Sequence, residues 1–162
     1  MIDVETTGAK ETVKGLETIV AGMTGALVDG MRQSTAYLAA QATANLVGYQ
    51  SPSVGGVDIG RLRASIPPSP VVSVSGPVVQ GVVGSNVDYA PYVEYDTRPH
   101  WPPIDALQLW AERHGTSAFL VARAISQRGT KGKRFLGRAV DKGRAKIAEF
   151  IGRAIGRLLT RK

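Results

Sequence analysis

A long periodic run of apolar residues, between residues 9 and 47, constrains the fold of this chain more than any other feature. Its apolar positions recur mostly at intervals of three or four and are Val13, Leu16, Val20, Met23, Leu27, Met31, Leu38 and Leu46, with Ala42 filling one gap. This spacing predicts one face of a long helix, broken at most once. At about 1.5 Å of rise per residue, such a helix would exceed the width of a small domain. We therefore expect part of the face to contact another subunit; the alternative is two shorter helices folded onto one core.

Four glycines lie inside the same run, at Gly15, Gly22, Gly25 and Gly30. Each lowers the stability of a helix by up to about 1 kcal/mol relative to Ala. We therefore expect neighbouring elements to hold this helix.

The middle of the chain predicts a β-hairpin. Residues 71–75 and 78–84 are rich in Val and are separated by Gly76-Pro77, which is typical of a tight turn between strands. Gly81 indicates a bulge or a close approach of another backbone. The residues predicted to share the buried face are Val72, Val74, Val79 and Val83.

A short helix is predicted before the hairpin. Residues 49–57 have the Pro, Ser and Gly content of a loop, and Asp58 can cap a helix over residues 59–66. Arg61 and Arg63 point away from its apolar side. A solvated face is the plain explanation for these two arginines, and a protein contact is the other.

The stretch GSNVDYAPYVEY, which ends the β-rich middle, predicts a single helical turn capped by Asp88. Tyr89, Tyr92 and Val93 then fall on a common side. Amphipathic packing explains the tyrosines better than base stacking, because no Arg or Lys is interleaved with them. The following residues 97–103 form a stiff proline loop that can present Arg98, His100 and Trp101 outward, and the loop loses little entropy on docking.

The C-terminal part of the chain predicts helices. Asp105 can cap a helix through Arg113 that buries Leu107 and Trp110, and a second helix is predicted over residues 117–127. A basic turn, GTKGKR, then precedes a last amphipathic helix. The cations of that turn are Lys131, Lys133 and Arg134.

The last helix is predicted over residues 135–159. Its basic side is Arg138, Lys142, Lys146, Arg153 and Arg157. Gly152 and Gly156 form a GxxxG pair, which we interpret as close packing of helices in water, because arginines interrupt the apolar run that a membrane helix needs.

These predictions define an α+β fold in a single domain spanning residues 1–162. A short strand and the long helix occupy residues 1–48, because Ile2 and Val4 alternate with acidic residues. The further parts are a short helix, hairpin and helical turn at residues 58–95, the proline loop at residues 96–104 and the helical part at residues 105–162.

The positive charge of the chain is concentrated at one end. Residues 131–162 hold 11 Lys or Arg against two acidic residues, although the whole chain has a net charge of only +7. Such asymmetry indicates an anionic partner, which is nucleic acid, an acidic protein or an anionic membrane. The acidic residues in the last helix, the glycines and the lack of Trp on its apolar face argue against a membrane.

No catalytic set is recognisable. The chain has no Cys, and His100 and His114 are not spaced as metal ligands. GTKGK has too few residues between its glycines for a phosphate-binding loop and follows a helix instead of a strand. We expect neither enzyme activity nor a cofactor. The absence of a signal peptide or a spanning apolar run predicts synthesis in the cytoplasm.

Three motifs in succession carry a family resemblance. They are D-x-G-R-L-R-x-S-I at residues 58–66, V-G-S-N-V-x-Y-A-x-Y-V-E at residues 83–94 and G-T-K-G-x-x-F-L-x-x-A-V at residues 129–140. Together with the long first helix and the amphipathic last helix, this order resembles the minor tail-component proteins of long-tailed bacteriophages. Two positions depart from that pattern: Asp96 stands where Gly usually precedes Thr, and Gly137 replaces the usual Pro after Phe-Leu.

The resemblance implies a structural virion protein that forms a homo-oligomeric ring at the neck or the head-proximal end of the tail. Such a ring helps to join the DNA-filled head to the tail, contacts head-closure, tail-terminator or tail-tube proteins and lets genomic DNA pass through its lumen. A tail-terminator ring is the alternative within this class, and a DNA-binding protein using the last helix is the alternative outside it.

Contacts between ring subunits join two different surfaces, and the first and last helices are the candidates. An ion pair of Glu94 with Arg61 or Arg63 is a further hypothesis. The full set of candidate interface residues is Arg61, Arg63, Tyr89, Tyr92, Glu94, Arg98, His100, Trp101, Lys131, Lys133, Arg134, Arg153 and Arg157.

Overall fold

The first helix is continuous in the computed structural model, which describes residues 7–47, 59–68 and 70–160. Helix α1 spans Thr7–Asn45, 39 residues or about 60 Å. The alternative of two shorter helices is therefore wrong. The predicted strand over residues 1–6, the loop over residues 49–57 and the Asp58 cap lie outside the described residues.

The remaining elements confirm the α+β class, with a helical C-terminal part and one small antiparallel sheet. In chain order they are α2 (Ile59–Ala64), β1 (Val72–Ser75), β2 (Val78–Gly81), α3 (Ala90–Glu94), α4 (Ile104–Arg113), α5 (Ala118–Arg128) and α6 (Phe135–Leu159). Helix α6 has the predicted bounds.

Helix α6 packs antiparallel along the C-terminal part of α1. At one end, Asn45 Nδ2 donates a hydrogen bond to the carbonyl oxygen of Phe135, at 2.9 Å. At the other end, a Cβ built on Gly22 would lie 2.9 Å from a Leu158 methyl carbon. A Cβ on Gly30 would lie 2.9 Å from the Ile151 Cα. Gly30 thus allows the two backbones to approach closely, and Gly22 leaves room for the Leu158 side chain.

The predicted hairpin is present. Strands β1 and β2 pair antiparallel with Val74 opposite Val79, and Gly76 takes the positive φ of 57° that the tight turn requires. One face of the hairpin lies on α1, where a Cβ on Gly81 would collide with the Thr35 side chain, so the close approach at Gly81 is made by side chains and not by another backbone. Val74 is 49% exposed, contrary to its predicted place on the buried face.

Two apolar clusters hold the fold together. The larger joins α1, α2, α3 and the start of α6, and its largest members are Phe135, Leu46, Leu62 and Val93. The smaller lies between α4 and α5, which pack as a helical hairpin around Leu107, Ala122 and Ile125. The two motif-bearing segments on either side of this helical hairpin connect it to the rest.

Several local predictions are wrong. Tyr89, not Asp88, is the N-cap of α3, and Pro103 precedes α4, so that Asp105 lies inside its first turn. Helix α2 ends before Ile66, although Ile66 is buried.

The GxxxG pair of α6 makes no close contact. Nothing lies within 4 Å of a Cβ built on Gly152 or Gly156. Gly143, instead, is the α6 glycine that approaches α1, because a Cβ there would lie 2.8 Å from a Leu38 methyl carbon.

Candidate assembly surfaces

The N-terminal part of α1 extends past the end of α6. Helix α6 ends at Leu159, opposite about Gly22 of α1, and α1 continues from there back to Thr7. Every residue from 10 to 21, the segment called here the projecting segment, is exposed. Nothing described in this chain covers it.

The projecting segment carries large apolar side chains on one face, which continues to Met23. Their exposed fractions are 54% for Val13, 56% for Leu16, 56% for Ile19, 62% for Val20 and 39% for Met23. Single exposed apolar residues are ordinary in monomeric proteins, but a contiguous apolar face marks an interaction site. Its charged residues, Lys10, Glu11, Lys14 and Glu17, balance to no net charge.

A second exposed apolar patch lies where the proline loop meets α5. Trp101 packs edge-on against Phe119, with ring centroids 5.8 Å apart, yet the two side chains are each 52% exposed. Leu120 beside them is 55% exposed. Trp101 was a predicted interface residue. Phe119 and Leu120 were not predicted, because the sequence identifies them only as apolar residues of a predicted helix.

Four predicted interface residues line one open groove of about 590 Å³: Tyr89, Tyr92, Arg98 and His100. Tyr89 packs against the larger core cluster. Tyr92 is 61% exposed, so it does not share a buried side with Val93 as predicted. Arg98 and His100 are exposed, and His100 Nδ1 lies 2.9 Å from the carbonyl oxygen of Arg98.

Glu94 joins two of the motifs inside the chain. It is 6% exposed, and its two carboxylate oxygens accept hydrogen bonds from the backbone N–H groups of Leu136 and Gly137, each at 2.8 Å. These are first-turn donors of α6, which have no partner within the helix. Glu94 therefore caps α6 from a position 42 residues earlier in the sequence.

The basic turn is bound along the same segment. The N–H groups of Lys133 and Arg134 donate to the carbonyl oxygens of Val93 and Glu94, at 2.6 and 3.0 Å. Gly132 N–H donates to Asp96 Oδ1 at 2.7 Å. Asp96, one of the departures from the family pattern, thus has a definite role in holding this turn. Lys131 is exposed beside it.

The turn also contains two tight backbone contacts. A side chain on Gly129 would collide with Thr97, and one on Gly132 would collide with Tyr95. Thr97 and Thr130 share a hydrogen bond between their hydroxyls at 2.8 Å. The glycines of GTKGKR are therefore needed for packing.

Arg61 and Arg63 lie on the exposed side of α2. Neither forms an ion pair with Glu94 within the described ranges, because the carboxylate of Glu94 is directed at the start of α6. Glu94 thus has its partners inside its own chain, both arginines remain exposed, and a pair between subunits stays a prediction.

The basic side of α6 is partly neutralised by its own acidic residues. Glu149 binds both Lys146, at 2.9 Å, and Arg153. The Lys146 ammonium, which donates a hydrogen bond, and the Arg153 guanidinium together hold the pKa of Glu149 below its ordinary value. Arg134 and Arg144 lie 3.4 and 3.8 Å from the carboxylate of Asp141. Arg138, Lys142 and Arg157 have no acidic partner in the part of the chain described.

The predicted interface residues thus divide among five places. The groove holds Tyr89, Tyr92, Arg98 and His100, and Trp101 lies in the apolar patch at α5. Glu94 and the basic turn lie at the cap of α6, the exposed side of α2 carries Arg61 and Arg63, and the far end of α6 carries Arg153 and Arg157. No three of His, Cys, Asp and Glu are grouped to hold a metal ion within residues 7–47, 59–68 and 70–160. Over the same ranges, no helix is long and apolar enough to cross a membrane.

Comparisons of the chain with protein-family models, with curated proteins and with solved structures find no match. The resemblance to phage minor tail components is therefore carried by the three motifs and their order alone.

Proposed function

We propose that this protein is a structural subunit that assembles with copies of itself into a ring at the neck or head-proximal tail of a long-tailed phage. The observation that carries this proposal is the apolar face of the projecting segment. This face holds five large exposed apolar side chains, four of them in the projecting segment, which no described element of the same chain covers, and the fifth at Met23. Burying such side chains contributes roughly 25 cal/mol per Å² of apolar surface, which favours association.

The placement of the motifs supports the phage part of the proposal. The segment YVEY at residues 92–95 and the turn GTKGKR at residues 129–134 are separated by 33 residues but are joined through backbone hydrogen bonds to Val93 and Glu94 and through two tightly packed glycines. The two motifs thus meet in one contact, between the segment around Glu94 and the start of α6. This is expected if a family keeps both motifs in the same order.

The uncompensated cations of α6 favour an acidic protein neighbour. Arg138, Lys142 and Arg157 are exposed on one helix whose other cations form ion pairs with Asp141 or Glu149. Charged rims steer a partner and fix its orientation. DNA is the second candidate for this surface, because phosphates would be attracted to the same cations.

The assembly proposal is tested by measuring the mass of the purified full chain with light scattering. We expect a particle larger than the monomer. The triple variant Val13→Ser, Leu16→Ser, Val20→Ser should be monomeric and still folded, because these side chains are exposed in the monomer. A wild-type chain that stays monomeric at high concentration would overturn the proposal.

The matched control changes three residues on the opposite side of the same helix: Glu11→Ser, Lys14→Ser and Thr18→Ser. It introduces the same number of serines and leaves the net charge unchanged. The control variant should assemble like wild type. If it is as monomeric as the apolar triple variant, the loss reflects damage to the helix and not removal of an interface.

The role of the basic helix is tested with the double variant Arg153→Glu, Arg157→Glu. We expect it to fold normally but to block joining of heads to tails in infected cells, because an acidic neighbour would be repelled. Normal particle yield would refute an acidic neighbour. Tight DNA binding by a monomeric wild-type chain, weakened steeply by salt, would favour the DNA-binding alternative instead.

A further inference from the structure

The hairpin belongs to a long uncharged stretch. No charged residue occurs between Arg63 and Asp88, and the hairpin lies in the middle of this interval. Proteins usually protect the edge strands of a sheet with charged residues, especially Lys, because an unpaired edge can bind another strand. That protection is missing here.

Both strands of the hairpin are edge strands. The sheet has two strands in the described part of the chain, and no third strand pairs with β1. The Val82 N–H donates to the Val71 carbonyl oxygen at 3.1 Å, which sets the hydrogen-bonded pairs of the ladder. Alternate residues then direct their backbone groups away from the partner strand. In β1 these residues are Val72 and Val74, in the register that pairs Val74 with Val79.

Strand β1 is the more accessible of the two. Three of its four residues, Ser73, Val74 and Ser75, are exposed, whereas β2 has two half-buried residues and presents Gly81 to Met31 and Thr35 of α1. Two-stranded sheets are only marginally stable alone. A strand added at the edge of β1 would therefore stabilise the sheet on the side that α1 supports least.

We propose that the free edge of β1 pairs with the free edge of β2 in the hairpin of a second copy of this chain, forming a sheet that continues between subunits. The inference rests on the proposed ring assembly and identifies one of its contacts. Main-chain hydrogen bonds supply the affinity in this mode of binding, and the edge of β1 offers the N–H and carbonyl groups of Val72 and Val74.

A second copy is the occupant that the charge pattern fits. The edge has no charge to attract an acidic or basic partner, so its complement is an uncharged extended segment. The described residues contain one such segment with strand geometry, the hairpin itself. Every copy in an assembly carries both the edge and its complement, which is what subunit contacts in a ring require.

The edge is tested with Val74→Pro and its matched control Val74→Thr in the full chain. Proline removes the outward N–H and leaves the pairing of β1 with β2 intact, since the Val74 N–H takes no part in that ladder. Threonine keeps the N–H and a β-branched side chain. We expect Val74→Pro to lose assembly at concentrations where wild type and Val74→Thr assemble. Equal assembly of all three proteins would overturn the inference.

A distance measurement covers the case in which Val74→Pro fails to fold. The chain has no Cys, so Ser73→Cys provides a single thiol on the exposed face of β1 for a nitroxide label. Paired strands lie about 4.8 Å apart, so the β1 strands of neighbouring copies, with one β2 between them, lie about 10 Å apart, and their labels should show strong dipolar broadening. Dilution with unlabelled chain should remove the broadening, and a label at Thr116→Cys, on the exposed turn between α4 and α5, should show none.

The outcomes separate the two proposals. An assembled protein whose Ser73 labels show no broadening refutes the hairpin contact but leaves the ring proposal standing. A wild-type chain that is monomeric refutes both. Broadening at Ser73 that disappears on dilution with unlabelled chain supports both.

Discussion

The two parts of α1 differ in the size of the side chains on their contact face. Where α6 covers the helix, the buried residues include the small Gly30, Ser34, Ala39 and Ala42, and the backbones approach closely at Gly30. The larger Tyr37 and Leu38 are accommodated there by Gly143 of α6. In the projecting segment, the face presents large aliphatic side chains that meet nothing described in this chain. Small residues let a helix be approached, whereas large ones fill holes in a partner. The first part of α1 thus presents large apolar side chains that no described residue of this chain covers.

The buried polar side chains in the covered part of α1 form their hydrogen bonds within the helix itself. Ser34 is buried, and its hydroxyl donates to the Gly30 carbonyl oxygen at 2.7 Å, while the Thr35 hydroxyl donates to that of Met31 at 2.9 Å. Both hydroxyls are satisfied within α1 and need no partner from α6. The covered contact is therefore complete inside one chain, and the projecting one is not.

Two leucines test this comparison most strongly. Leu46, just after the end of α1, is 0% exposed, whereas Leu16 in the projecting segment is 56% exposed. We expect Leu46→Ala to lower the free energy of unfolding of the monomer by about 2–5 kcal/mol. Leu16→Ala should change it by less than about 0.5 kcal/mol.

Urea denaturation at a concentration where the protein is monomeric would measure both changes. A large loss from Leu16→Ala in the monomer would mean that the projecting segment is covered by its own chain. The difference between the two parts of α1 would then disappear.

Glu94 tests how firmly α6 is held against the covered part. Glu94→Ala removes the acceptor of two first-turn N–H groups in a largely buried place, which should lower stability by at least about 2 kcal/mol. Glu94→Gln keeps one acceptor oxygen and should lose less. Glu112→Ala, at an exposed carboxylate on α4, serves as the control and should have little effect. Equal losses from Glu94→Ala and Glu112→Ala in thermal unfolding would contradict the capping role.

Periodicity predicted the long elements of this fold well. The apolar spacing of α1 and α6 extends over many turns, and the Gly76-Pro77 turn identified the hairpin. Sequence could not predict how far α6 would cover α1. The answer depends on the register between two helices nearly 100 residues apart, which the intervening segments determine.

The errors in the candidate site have local physical causes. The cap of α6 is a carboxylate 42 residues away, and no short-range signal can identify such a partner for Glu94. Asp88 is a residue type that often caps helices, but α3 begins one residue later than predicted, with Tyr89 as its N-cap. Phe119 and Leu120 have core-like spacing on a helix too thinly covered to bury them. Residue type thus indicated which side chains are able to cap a helix or to pack, and tertiary packing determined which of them do so.

Substitution of two glycines of α1 by Ala should change the stability of the monomer in opposite directions, one in the covered part and one in the projecting segment. In Gly30→Ala the new methyl would lie 2.9 Å from the Ile151 Cα, so α6 must shift, at an expected cost of about 1–3 kcal/mol. Gly15→Ala meets nothing within 4 Å and should stabilise the monomer by up to about 1 kcal/mol, because Ala favours helix. Chemical denaturation of both variants would show opposite shifts. Two shifts of the same sign would contradict the difference in packing.

The smallest expected effect comes from the outer side of α6, where Glu149 binds Lys146 and Arg153. Because these cations lower its pKa from 4.5, Glu149 stabilises the fold above the ordinary carboxyl range, and this contribution is lost as the pH falls through the lowered value. Wild type should therefore have a slightly higher Tm than Glu149→Gln at neutral pH, and the difference should close in acid. Salt should also reduce it, since the pair is exposed. A difference in Tm that persists in acid would mean that Glu149 contributes through packing and not through its charge.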